Sequence, residues 1–337
     1  MYGKEAFLAG LFLIVPLLFV GCGDDKASGP SNGDGLSLSC ANAVAVSNSY
    51  AYVAGVGLGV IDVSDPSHPT MAAHCITTSV APYQDIYYDV AVSGSYAYGA
   101  CATTNGGGLS IIDVSHPKDS KQIGHYDCPM IGSYSASVGF SQSYAYLGGC
   151  MTGEEGFKII DISDPQNPTP VGSITPAGLA ITGSGSYAYV AASSEGLIII
   201  DVSNPSNPLQ VGSCDVIAFD IVVSDQYAYV LGLNFEVVDI SNPSTPSIVG
   251  QCDASGYSVA VSGLYAYVTT GEGLTIIDVS QPRNPTKVGS CQAQGVQDVA
   301  MSGSHAYLAC GEQGLSIIDV SDPSNPTQIG YYDVNSR

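Results

Sequence analysis

The sequence contains no tryptophan, and only 8 of its 337 residues are lysine or arginine, against 30 aspartate or glutamate. With a formal net charge of −22 the chain cannot assemble a basic patch, which excludes nucleic acid and anionic lipid surfaces as expected partners. It has no Cys-x-x-Cys or His-x-x-x-His pair, no nucleophile elbow and no phosphate-binding loop, so no common zinc, redox or nucleotide motif indicates an activity. After Cys22 no ten-residue window has helical periodicity, which excludes helical solenoids.

The N-terminus carries a processing signal. Ala6 to Val20 form an apolar run too short to span a membrane comfortably. The run leads into LFVGC, Leu18 to Cys22, which resembles a bacterial lipobox, where the cysteine is lipidated after cleavage. We expect a lipoprotein signal peptide over 1–21, lipidation at Cys22 and a flexible polar tether over 22–35. The exported chain would then be anchored to a bacterial membrane, at the outer membrane or cell surface; an ordinary secretory signal is the alternative.

Internal repeats dominate the rest of the chain. An aspartate that follows an apolar run recurs seven times, at Asp62, Asp113, Asp161, Asp201, Asp239, Asp278 and Asp319. The segment Ser-Tyr-Ala-Tyr, or a variant of it, also occurs seven times, once upstream of each aspartate. The pattern in each unit of roughly 40 residues predicts four short strands, A to D, with turn residues between them. Examples are DVAV, YAYVA, GLTIIDVS and TKVGSC.

Four strands per repeat, seven times over, predict an all-β seven-bladed β-propeller of four-stranded antiparallel blades over residues 36–337. A linear β-solenoid is the alternative. The predicted blades cover about residues 41–75, 87–128, 135–175, 178–215, 218–253, 256–292 and 296–334. Residues 36–40 leave ring closure open, since they either add a fifth strand to blade 7 or replace part of it.

The stretch GLSIIDVSDPSNP, Gly314 to Pro326, resembles the LVIVD repeat of bacterial and archaeal surface proteins. The resemblance covers nearly all of Leu36 to Val334. It implies a propeller and a cell-surface setting, and it carries no catalytic motif to this chain.

The recurring residues favour structural roles. The strand C aspartates can accept hydrogen bonds from the N–H groups of the following turn; the alternative is a cation site in each blade, although one carboxylate per blade supplies few ligands. The paired tyrosines of strand B, such as Tyr50 and Tyr52, lie on one face, where they can fill the space between blades. A sugar-stacking platform is the alternative.

One position of strand A varies between repeats. It is occupied by Ala43, Asp89, Ser137, Ala180, Asp220, Ser258 and Asp298. Strand A is innermost in a propeller, so Asp89, Asp220 and Asp298 can ring the central channel. Either they bond to backbone N–H groups of the adjacent blade, or together they hold a cation. We expect no other cofactor and no protein-bound metal.

Ten cysteines are present. Their places at the ends of strands B and D predict three inter-blade disulfides, Cys75–Cys101, Cys128–Cys150 and Cys291–Cys310. Cys40, Cys214 and Cys252 have no clear partner in this scheme.

Unequal loops are the remaining functional signal. The loops at 76–88, 102–107, 129–135 and 151–156, in the first three blades, are longer than their later counterparts. A ligand surface is therefore expected there, with these candidates: Tyr83, Asp85, Tyr87, Tyr88, Met130, Tyr134, Glu154 and Glu155. The alternative is that these longer loops are insertions that the fold tolerates and that have no function. The chain is expected to act as a monomeric, non-catalytic binding or scaffold module for a protein or glycan. The alternative is an extracytoplasmic hydrolase or lyase with its acid and base in these loops.

Overall fold

The protein is a seven-bladed β-propeller in which each blade is a four-stranded antiparallel sheet in sequence order. This computed structural model describes residues 38, 40–76, 85–103, 106–128, 137–149, 156–175 and 178–335. Within these residues the only helix is the short 3-10 helix Pro117–Asp119. No helix of the described part of the chain is long and apolar enough to cross a membrane.

The first three blades contain strands β1 to β12. Blade 1 holds β1 Ala43–Ser47, β2 Tyr50–Gly55, β3 Gly57–Asp62 and β4 Thr70–Cys75. Blade 2 holds β5 Ile86–Ser93, β6 Tyr96–Thr103, β7 Gly106–Asp113 and β8 Lys121–Cys128. Blade 3 holds β9 Val138–Ser141, β10 Tyr144–Leu147, β11 Phe157–Asp161 and β12 Thr169–Ile174.

The last four blades contain β13 to β28. Blade 4 holds β13 Ala180–Ser184, β14 Tyr187–Ala191, β15 Leu197–Asp201 and β16 Leu209–Cys214. Blade 5 holds β17 Asp220–Ser224, β18 Tyr227–Leu231, β19 Phe235–Asp239 and β20 Ser247–Cys252. Blade 6 holds β21 Val259–Ser262, β22 Tyr265–Thr270, β23 Gly273–Asp278 and β24 Thr286–Gln292. Blade 7 holds β25 Asp298–Ser302, β26 His305–Ala309, β27 Leu315–Asp319 and β28 Thr327–Tyr332.

The core lies between the blades. Each of seven hydrophobic clusters combines residues of two neighbouring blades. The second tyrosine of each strand B pair is buried in one of them; Tyr52, for example, packs with Ile112 of blade 2. The packing interpretation of the tyrosine pairs is confirmed, because these rings fill the space between blades.

The motif that joins strands C and D also connects neighbouring blades. In the D strands of blades 2 to 7 a glycine faces a proline carbonyl in the C–D turn of the next blade. A Cβ at Gly212, for instance, would overlap the carbonyl oxygen of Pro243. In blade 1 the equivalent position is Ala73, and its strand contacts the Pro117–Asp119 helix, the C–D connection of blade 2. The junction that lacks this glycine is thus also the one at which the C–D connection is a 3-10 helix.

The ring closes as an ordinary blade junction. Neighbouring A strands contact one another all the way round, including β25 with β1. Ala41 and Gly311 of blade 7 form an antiparallel bridge with two backbone hydrogen bonds of 2.9 Å. Ser193 and Ala218 form the same bridge between blades 4 and 5. The described N-terminal residues therefore neither add a fifth strand to blade 7 nor replace its strand D, which is β28.

Candidate functional site

The ring has two different rims. The B–C and D–A loops lie on one, here called the loop rim; the A–B and C–D turns lie on the other, here called the turn rim. Each D–A loop leads into strand A, so the variable position of strand A lies at the loop-rim end of the central channel.

Asp89, Asp220 and Asp298 each connect two blades at this level. One carboxylate oxygen of Asp220 accepts the N–H of Ile221 at 2.8 Å, and the other accepts the N–H of Val259 in blade 6 at 2.7 Å. Asp89 bonds in the same way to Val90 and to Val138 of blade 3. Asp298 accepts the N–H of Val44, at 2.8 Å, and so bonds blade 7 to blade 1. The prediction that these aspartates bond to the adjacent blade is confirmed.

These bonds provide an acceptor for one N–H on the inner edge of every blade. Strand A is an edge strand, so its outward N–H groups have no neighbouring strand to accept them. Side-chain oxygens accept all seven of the N–H groups that follow the variable position. Three aspartates accept six, those of Val44, Val90, Val138, Ile221, Val259 and Val299. Ser137 accepts the seventh, that of Ile181, at 3.2 Å. We call this set the inner polar belt.

The belt aspartates hold protons more tightly than ordinary carboxyl groups. Each keeps part of its surface on the channel, yet protein atoms surround it, and this desolvation is the largest cause of a raised pKa. The pKa of Asp89 is raised to about 6 and that of Asp220 to about 7, and repulsion by Asp298 adds to both shifts. The pKa of Asp298 is also raised, although Ser258 donates a hydrogen bond of 2.6 Å to it.

The belt geometry gives no support to a channel cation. Both oxygens of Asp89 and of Asp220 already accept backbone N–H groups, so little ligand capacity remains. In the part of the chain that the structure describes, no group of three or more His, Cys, Asp or Glu side chains is arranged to hold a metal ion.

The strand C aspartates stabilise turns. Asp62 Oδ1 accepts the N–H of Ser64 at 3.0 Å and its hydroxyl at 2.7 Å, and all seven aspartates accept the N–H two residues on. Hydrogen bonds from that residue lower the pKa of each of these carboxyls. The turn interpretation is confirmed.

The ligand candidates of blades 1 to 3 fall into two groups. Tyr87 is fully buried and Asp85 nearly so, and the half-buried Tyr88 packs against the cluster between blades 2 and 3. Asp85 and Tyr87 are therefore buried and do not face outward. The other five, Tyr83, Met130, Tyr134, Glu154 and Glu155, lie outside the described residues.

The predicted disulfides need correction. Cys75, Cys101, Cys291 and Cys310 are free thiols in the structure. The Cys128–Cys150 pair stays a prediction, because Cys150 lies outside the described residues. The bonds Cys75–Cys101 and Cys291–Cys310 are thus absent, although each pair shares an inter-blade cluster. A disulfide needs matched side-chain directions as well as proximity. Cys101 Sγ instead faces the Gly108 carbonyl within its own blade, at 3.6 Å.

Blade 2 contains a row of polar contacts that was not predicted from the sequence; we call it the polar row. Cys101 Sγ lies 3.6 Å from Ser110 Oγ, which lies 3.1 Å from His125 Nδ1. His125 Nε2 lies 3.2 Å from Asp127 Oδ1. The sequence does place a serine on strand C and a histidine on strand D of this blade. The two residues pair in register, which could have indicated the contact.

The polar row contains the residue types of a catalytic triad, but a substrate cannot reach its serine. Ser110 is fully buried, so its hydroxyl cannot reach a substrate. Burial also raises the pKa of the Cys101 thiol to about 12, which keeps the sulfur protonated and unreactive. Among the described residues, the polar row joins two strands of one blade and supplies no nucleophile.

Comparison with known proteins agrees with this architecture. A family model described as the LVIVD repeat matches seven segments, residues 40–77, 88–127, 132–175, 180–216, 217–254, 255–293 and 294–334. No curated protein matches the chain.

Several solved structures have a similar fold. PorZ, described as an essential bacterial surface component of the type-IX secretion system of Porphyromonas gingivalis, is 14% identical with a TM-score of 0.62. That match covers 89% of this chain and 39% of PorZ. AztD of Citrobacter koseri is 13% identical, with a TM-score of 0.54 and 87% of each chain covered. The designed protein Ika8 is 10% identical, with a TM-score of 0.59, 89% of this chain and 92% of its own covered. At these identities the likeness shows the fold alone.

Proposed function

Because the chain belongs to the LVIVD-repeat family and folds as a seven-bladed propeller, we propose that it is a monomeric, non-catalytic binding module that presents its loop rim to a protein or glycan. Propellers of this kind offer a rigid ring on which loops of unequal length are displayed. The loop rim is the face where the seven repeats differ most.

One observation carries this proposal: the recurring polar groups that could perform chemistry are already engaged in structural bonds. The strand C aspartates accept turn N–H groups, and the strand A aspartates accept N–H groups at the blade junctions. Ser110, the serine with a histidine partner in blade 2, is buried. Recognition through surface loops remains as the function that the geometry supports best. The hydrolase or lyase alternative gains no support from the described residues.

We further propose that the module is held at a bacterial membrane, the outer membrane or cell surface, by a lipid on Cys22. The sequence LFVGC and the polar stretch over 22–35 support this proposal. A tether of this length would let the ring project from the membrane into solvent.

The test is a glycan array and a defined protein-binding screen with the chain from Leu36 onward. Variants with shortened loops at 76–88 and 151–156 should lose ligands captured by blades 1 to 3. The turn-rim substitution Leu264→Ser, at a side chain that is 60% exposed, is the control and should bind as the parent does. Equal loss in the control and the loop variants, or no ligand at all, would contradict the proposal.

A further inference from the structure

Three large apolar side chains stand exposed on the loop rim of blades 4 to 6. Ile217 is 40% exposed, Leu233 58% and Tyr257 43%. Most apolar side chains of their size in this ring are buried between blades. Exposed apolar groups that lie together on a rigid surface mark interaction sites more often than scattered ones do.

The three residues lie on loops that contact one another. Ala218, next to Ile217, bridges to Ser193 of blade 4, and Gly232 packs on the carbonyl of Ile217 with no room for a Cβ. Leu233, the residue after Gly232, therefore lies close to Ile217.

The third side chain is held on the next loop. Ala254, on the loop of Tyr257, shares a buried cluster with Leu231 and Phe235, which flank Leu233. Tyr257 N–H donates to the Thr269 carbonyl of blade 6 at 3.0 Å. These hydrogen bonds and packing contacts hold the three loops in fixed positions on adjacent blades.

These three loops and the B–C loops of blades 4 and 6 beside them carry negative but no positive charge. Glu195, Asp215, Asp253 and Glu272 are exposed, and none of them forms an ion pair within the described part of the chain. The loops 192–196, 215–219, 232–234, 253–258 and 270–273 contain no lysine or arginine. We call the three apolar and four acidic side chains the acidic-apolar arc.

We propose that the acidic-apolar arc docks a basic segment of a partner protein whose apolar side chains contact Ile217, Leu233 and Tyr257. Charge complementarity selects this occupant, because an anionic lipid or nucleic acid would be repelled by four unpaired carboxylates. A glycan would find a single exposed aromatic ring for stacking, whereas an aliphatic anchor finds two aliphatic side chains beside it. This inference rests on the proposed binding function and names a partner class for an arc separate from the loops of blades 1 to 3.

The experiment is a fluorescence-anisotropy titration of the full chain with a labelled 15-residue peptide that combines lysines with leucines at every third position. The double variant Leu233→Ser/Tyr257→Ser should bind this peptide at least ten-fold more weakly than wild type, because both apolar contacts are lost. Leu264→Ser, equally exposed on the turn rim, should leave the dissociation constant within two-fold. A peptide with glutamate in place of lysine should not bind.

Two results would overturn the inference. The first is equal binding by wild type and the arc double variant. The second is equal binding of a lysine peptide whose leucines are replaced by serine, which would show general charge attraction only. If the arc fails in this way while the glycan or protein screen still yields a loop-dependent ligand, the binding-module proposal stands and only the arc assignment falls.

Discussion

Aspartate serves two roles in this protein, and its surroundings decide which. In the C–D turns the carboxylate is partly exposed and accepts hydrogen bonds from a serine two residues on, which lower its pKa. In the inner polar belt the same group is surrounded by protein, and desolvation outweighs its hydrogen bonds, so its pKa rises. The side chain is identical in both places, so the sequence pattern distinguishes them only by the strand on which they lie.

The belt predicts an unusual pH dependence of stability. Asp89 and Asp220 have folded pKa values of about 6 and 7, above the ordinary 3.8. The folded state therefore keeps protons that the unfolded chain releases, and the resulting stability is lost as pH rises through these values. We expect the free energy of unfolding, from urea denaturation, to fall by about 4 kcal/mol between pH 5 and pH 8, with Asp220 contributing about twice as much as Asp89.

The double variant Asp89→Asn/Asp220→Asn isolates this effect. It should show a flatter pH profile over the same range, because neither amide titrates. Burial lowers the pKa of His74 and so acts in the opposite direction, but His74 is present in both proteins and cancels in the comparison. Parallel profiles for the two proteins would show that the belt carboxyls do not titrate in this range.

At the scale of the element, the C–D connection contributes to blade packing as well as to the turn. Its proline carbonyl approaches the D-strand glycine of the preceding blade, as Pro243 does at Gly212. The proline and the glycine it contacts are distant in sequence, yet they occur together at six of the seven blade junctions because the close contact leaves no room for a Cβ. This pairing explains why a glycine follows Val or Ile near the start of strand D in blades 2 to 7.

Gly212→Ala tests this contact. The added Cβ overlaps the Pro243 carbonyl, and backbone has to shift to admit it. We expect a loss of about 1–3 kcal/mol in the free energy of unfolding, measured by urea denaturation. Gly271→Ala, where a Cβ would meet nothing within 4 Å, is the matched control and should change stability by less than about 0.5 kcal/mol. Equal effects in the two variants would show that the contact is not tight.

The elements were predictable from the sequence, and their fine contacts were not. Strand order and turn chemistry follow from alternation and from the Gly and Pro positions, which act locally. The predictions of Cys75–Cys101 and Cys291–Cys310 failed because sulfur direction depends on the register and twist of each strand, which put Cys101 against Gly108. The Ser110–His125 contact was missed for the same reason, since its register includes a one-residue shift between Ile111 and Ile112.

At the scale of the whole molecule, the ring closes without exchanging a strand between its ends. Leu38 is fully buried in the cluster between blades 7 and 1, beside Tyr307 and Leu315. The Leu38 side chain fills the space over Gly55 and Gly59, where a Cβ on either glycine would meet it. The seven repeats made a closed ring predictable, but not this closure, because residues 36–40 fit two strand assignments equally well.

Leu38→Ala measures what the closure contributes. Removing a fully buried leucine should cost about 2–5 kcal/mol in the free energy of unfolding, similar to Leu308→Ala at the ordinary junction between blades 6 and 7. Urea denaturation of both variants gives the comparison. A negligible loss in Leu38→Ala beside a large one in Leu308→Ala would contradict closure by this segment.

The central claim is that the repeated residues specify the ring while recognition belongs to the loop rim. It is tested by titrating the lysine-leucine peptide against two variants that each remove three carboxylates from blades 4 to 6. The rim variant Asp215→Asn/Asp253→Asn/Glu272→Gln should bind at least ten-fold more weakly than wild type. The repeat variant Asp201→Asn/Asp239→Asn/Asp278→Asn, equal in charge but altered on the turn rim, should stay within about three-fold. Equal losses in the two variants would contradict the account.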